Sequence, residues 1–150
     1  MRPRPPWFDT LVLAIATAAL FAAAALVLFS TFMMWDDEGY VLISLRNFAE
    51  HGGLYREVYS QYGPFPFVFY SGLHALGLPL THFTGRLITL ATWAGTAWAC
   101  ALLAGQAGRS LPLRLAVLAA AFAYLAFMVS APAHPGGLIV FVTLGLSALG

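Results

Sequence analysis

The chain has 150 residues, 61% of them hydrophobic and 9% charged, with a net charge of +1. That balance excludes an ordinary soluble domain, and the seven basic residues, all Arg and scattered along the chain, exclude a nucleic-acid footprint or a polybasic lipid patch. The single cysteine, Cys100, sits among Ala and Leu, offers neither an intrachain disulfide nor a metal set, and reads as a small packing residue.

Several uncharged runs approach or exceed the roughly 20 residues that cross a bilayer as helix, and none alternates with period two. The predicted fold class is therefore all-α, a multi-pass membrane protein whose long first extracytoplasmic loop carries an amphipathic juxtamembrane helix. Residues 10–35 form the first predicted span, about 37 Å as helix. This run exceeds the roughly 7–15 apolar residues of a secretory signal, so it reads as an uncleaved anchor with Trp7 and Trp35 as interfacial flanks. Arg2 and Arg4 put the amino terminus in the cytoplasm and residues 36–64 outside.

That outer segment opens with Asp36-Asp37-Glu38. From 37 to 51, Ser44, Asn47, Glu50 and His51 alternate with Val41, Leu45 and Phe48 at helical spacing, and Gly52-Gly53 marks a helix stop. Asp36 suits the cap, and carboxylates favour the positive end of the helix dipole. Residues 54–64 carry Tyr55, Tyr59 and Tyr62 with Arg56 and Glu57, rings suited to an interface or to stacking on a sugar. Further spans are predicted at 65–83, 87–107 and 115–132. The run at 65–83 is barely long enough and is interrupted by Gly72, His74, Gly77 and Pro79. Counting crossings leaves Arg109 and Arg114 outside, against the positive-inside tendency, and a half-inserted 65–83 removes the conflict. The Pro- and Gly-rich stretch 131–137 precedes a last run, 138–150, too short to cross. The chain is accordingly expected to be the amino-terminal part of one larger transmembrane domain.

A cytoplasmic amino terminus, one helix, an outer loop that opens on Asp37-Glu38 followed by Tyr40, then a surface helix and Gly63-Pro64, together resemble the amino-terminal region of the GT-C type glycosyltransferases. These are membrane enzymes similar to protein O-mannosyltransferases and the lipid A aminoarabinose transferase. The resemblance continues through Gly52-Gly53-Leu54-Tyr55, Gln61-Tyr62-Gly63-Pro64-Phe65, Leu76-Gly77-Leu78 and Gly85-Arg86-Leu87, and so covers most of the chain. It departs where relatives of the aminoarabinose transferase carry a basic residue before a Pro-Pro opening; this chain has Gln61-Tyr62-Gly63-Pro64. The resemblance implies transfer of a sugar from a polyprenyl-phosphate donor to a glycan, lipid or protein acceptor, outside a cell (inner) membrane, with no nucleic-acid partner. It implies catalytic roles for Asp37 first, then Glu38 and Asp36, and substrate contacts from Tyr40, Arg56 and Tyr62.

The chemistry of these residues fits that expectation. A carboxylate accepts the acceptor's proton, and three carboxylates in a row help to hold a divalent metal ion, although a full oxygen shell needs more ligands than this loop offers. The plainer account is a solvated helix cap. Arg46 and Arg56 suit a phosphate, or else lipid headgroups and pairing with Glu50 or Glu57. Arg86 reads as a snorkelling boundary residue, and His74 and His82, eight positions apart, as hydrogen-bonding residues rather than a metal clip. Trp93 and Trp98 read as packing or belt residues. His134, between prolines, receives no role. Two other classes remain open: a transporter or flippase-like protein whose outer carboxylates recruit a cation or substrate, and an inactive truncated membrane subunit.

Overall fold

The computed structural model describes residues 5–30, 37–108, 110–128 and 132–149. Asp36, Arg2, Arg4, Trp35 and Arg109, on which part of the charge and topology reading rests, lie outside the described residues. Six helices follow one another: α1 (Pro6–Ser30), α2 (Asp37–His51), α3 (Phe65–Ala75), α4 (His82–Ala107), α5 (Leu111–Met128) and α6 (Pro135–Leu149). No strand occurs among the described residues; a lone bridge joins Leu54 and Val58. Two of these helices, α1 and α4, are long and apolar enough to cross a membrane.

The 65–83 segment differs from the expected single span. Helix α3 ends at Ala75 and is about 16 Å long, too short to cross. The break is local chemistry. Gly77 takes φ +95°, a conformation that a β-carbon disfavours, and Pro79 lacks the amide a continuing helix needs. The Gly77 and Leu78 amides donate back to His74 and Leu73 carbonyls, closing the turn. Helix α4 then restarts on a Thr81 cap, whose hydroxyl accepts from the Thr84 amide at 3.3 Å. The next two helices begin earlier than the apolar runs suggest, α5 at Leu111 and α6 at Pro135, because a proline near each start fits a first turn.

Helix α4 is the axis of the molecule: α1, α5, α6 and the start of α2 all pack on it. One core joins α1, α4 and α5 through Leu13, Leu28, Leu90, Trp93, Ala97, Leu118 and Phe122. The Trp93 ring meets Phe122 edge-on at 6.4 Å between centroids, a packing role of the kind its sequence context suggests. A second core joins α2, α3, the 52–64 loop and the turn before α6 through Leu42, Leu45, Val58, Phe67, Tyr70, Leu80 and Ala133. The seam between α4 and α6 depends on close approach, since a β-carbon at Gly95 collides with the Phe141 ring. Gly95→Ala is therefore expected to cost about 1–3 kcal/mol, the usual range for overpacking. Gly145→Ala, where nothing lies within 4 Å, should be neutral or slightly stabilising. Thermal unfolding of both variants in lipid nanodiscs checks this contrast.

Candidate functional site

Helix α2 forms over the range that its polar and apolar alternation suggests, and its two long faces have different fates. One face, Glu38, Leu42 and Leu45 at i, i+4 and i+7, is buried. The face rotated from it carries Tyr40, Val41 and Ser44, which line a cleft of about 250 Å³. Asp37, the first residue of α2, stands one turn before Tyr40 and Val41 in the chain.

Glu38 shows what the buried side does. Its carboxylate is 3% exposed and accepts from the Arg86 guanidinium at 2.9 Å (Nη2) and 3.1 Å (Nε). His82 Nδ1 lies 3.2 Å from the same carboxylate. Arg86 also donates through Nη1 to the Leu28 carbonyl at 2.7 Å, in the last turn of α1, where helix carbonyls lack intrahelical partners. The expectation of a catalytic Glu38 and a snorkelling Arg86 therefore meets a different arrangement: a buried charge pair that ties α1, α2 and α4 together. Sequence spacing could not show it, because the partners stand 48 positions apart.

The opposite wall of the cleft comes from the 52–64 loop and α3. Gly52 and Gly53 adopt φ +68° and +70° and turn the chain back after α2. Ser60 then shapes the approach to Gly63: its hydroxyl accepts from the Tyr62 amide at 3.2 Å and donates to the Gly63 carbonyl at 3.4 Å. This places Tyr59, Ser60, Gln61 and Tyr62 at the cleft, with Phe67 and Tyr70 from α3 behind them. Burial pushes the Tyr70 phenol above the ordinary tyrosine range, so it stays neutral.

The third wall is the turn before α6. Its position is fixed by α4: the Ala133 amide donates to Thr89 Oγ1 at 2.7 Å, and Gly85 leaves room for the Ala133 methyl. His134 follows as the residue preceding α6. Its Nδ1 accepts from the Gly136 amide at 3.1 Å, an imidazole serving as helix cap, with Pro135 in the first helical position. Its Nε2 lies 3.0 Å from the Tyr62 hydroxyl. His134, and with it the pairing to Tyr62, is the part of the site that the sequence left without a role, and the signal available for it was a polar side chain directly before Pro-Gly-Gly.

Tyr40 and Tyr62 thus line one cleft, and Tyr59 joins them. Arg56 does not line it: the side chain is 88% exposed and lies 3.7 Å from Glu57. Arg46 is also engaged elsewhere, donating through Nε and Nη2 to the Leu80 carbonyl at 2.8 and 2.6 Å. Among the residues whose side chains are described, which do not include Asp37, no Arg, Lys, Asp or Glu lines the cleft. Glu38 is taken up by Arg86 and His82, and no three His, Cys, Asp or Glu side chains converge among the described residues. The described residues therefore do not assemble a cation site by themselves.

No family model, curated protein or solved structure matches the chain.

Proposed function

We propose that the protein is a multi-pass membrane glycosyltransferase, with a cytoplasmic amino terminus and the cleft on the extracytoplasmic side, that moves a sugar from a polyprenyl-phosphate donor to a hydroxyl-bearing glycan, lipid or protein acceptor. One observation supports the reading: α2 begins at Asp37, one turn before Tyr40 and Val41, which line an aromatic cleft, while the neighbouring Glu38 is paired with Arg86 in the core. A carboxylate beside a ring-sized cleft is what hydroxyl activation requires. The exposed apolar surface of α1, including Leu11, Ile15, Leu26 and Val27, suits lipid contact along that helix.

In the proposed reaction the acceptor oxygen attacks the anomeric carbon while the Asp37 carboxylate takes the hydroxyl proton. The bond from that carbon to the phosphate oxygen breaks, and the phosphate leaves with the electron pair. No step is routed through a metal. The test is Asp37→Asn in the protein held in its native membranes, read as consumption of polyprenyl-phosphate sugar and appearance of glycosylated acceptor. Undiminished transfer overturns the assignment.

A further inference from the structure

The polarity of the Tyr62–His134 hydrogen bond is fixed by the helix behind it. A backbone amide has only a proton to offer, so the Gly136 N–H directed at His134 Nδ1 requires that nitrogen to present its lone pair. A neutral imidazole then carries its proton on Nε2, and Nε2–H donates to the Tyr62 oxygen 3.0 Å away. With its oxygen accepting from histidine, Tyr62 has its own O–H proton left to give. The two rings meet edge-on at 4.9 Å between centroids, which holds the phenol in place.

The cleft in front of that O–H has a definite chemical character. Its walls are aromatic and aliphatic, with Ser44, Ser60, Gln61 and His134 as the polar groups and no Arg, Lys or Glu among the described residues. At about 250 Å³ it lies just below the range of about 300–1,000 Å³ typical of small-molecule sites, the scale of one ring rather than a chain of them. Tyr40 and Tyr59, which also line it, are 61% and 71% exposed. Among the described residues no Arg or Lys lines it to meet a phosphate, whereas a pyranose would find aromatic rings and the Tyr62 hydroxyl.

We infer that this cleft binds one uncharged, hydroxylated ring, with Tyr62 as its hydrogen-bond donor and with the direction of that donation set by α6 through His134. The ligand's identity as a sugar rests on the glycosyltransferase reading. The phosphate of any sugar carrier then lies outside the cleft, which separates recognition of the ring from recognition of the leaving group.

The test uses the protein in lipid nanodiscs free of glycoside detergent, probed with the methyl pyranosides of glucose, galactose and mannose by saturation-transfer NMR, and with inorganic phosphate by phosphorus line broadening. At least one pyranoside should receive saturation on its ring protons. Tyr62→Phe, which keeps the ring and removes the donor, should lower that transfer at least fivefold. His134→Asn retains a capping oxygen for α6 but is too short to reach Tyr62; it should lower transfer comparably, and the double variant should fall little further. Equal binding by Tyr62→Phe, absence of binding by every pyranoside, or phosphate broadening that the Tyr62 and His134 variants abolish would each overturn the inference. Failure here is distinct from failure of the catalytic proposal: transfer that depends on Asp37 without ring binding refutes only the ring site. Ring binding with transfer indifferent to Asp37→Asn refutes only the transferase.

Discussion

Transfer activity is expected to fall about 10²–10⁴-fold in Asp37→Asn, the usual contribution of a positioned general base. The amide keeps the size of the carboxylate and its capacity to accept hydrogen bonds at the head of α2, so the fold should survive. What it loses is the ability to take a proton. Turnover at saturating donor should carry the loss, with little change in apparent donor affinity, because proton transfer develops in the transition state rather than in the bound complex. Measuring both quantities in the same membranes checks the assignment, and an affinity defect alone would move Asp37 from catalysis to binding.

The second large effect concerns the neighbouring acid and has the opposite signature. Arg86→Met leaves the Glu38 carboxylate buried without its guanidinium and removes the donor to the Leu28 carbonyl. Breaking such a pair from one side costs about 3–5 kcal/mol, because the remaining charge keeps its desolvation penalty and loses its compensation. Removing both charges in Glu38→Leu/Arg86→Met should recover much of that loss, since a close-packed apolar pair carries no penalty. Denaturant unfolding of the three proteins in matched lipid checks the order: wild type and double variant near one another, single variant well below. Were Glu38 a catalytic group, the double variant would be stable and inactive. The structural assignment expects the double variant to keep its transfer activity to the extent that it keeps its fold.

These two predictions separate residues that adjoin in the chain, and the separation depends on rotation about a helix axis. The step from Asp37 to Glu38 is about 100° around α2. A one-dimensional reading sees a cluster of three carboxylates. Once Leu42 and Leu45 commit one face of α2 to the core, Glu38 is carried inward with them.

Much of the fold was legible without coordinates. The apolar runs announced helices, the alternation over 37–51 announced α2, and Gly52-Gly53 announced its end, because these features follow from local backbone preference and helical period. The interruption at Gly77 and Pro79 was visible as well, but length alone assigned 65–83 to a span; the chain instead stops one helix and starts another. Tyr62 was marked by its place in an aromatic loop and Tyr40 by its place just after Asp37-Glu38. Their convergence required α3 and the second core to fold the loop back upon α2.

The sequence by itself determined an all-helical, strongly apolar chain with three of its six acidic residues adjacent at positions 36–38, since composition and period act locally. Only the tertiary structure decided that Arg86 and His82 take Glu38, that Arg46 holds the Leu80 carbonyl, and that His134 meets Tyr62. Each of those pairings joins positions tens of residues apart. Each exists because a buried or half-buried polar group must find a partner where packing has carried it, and packing is a property of the assembled helices.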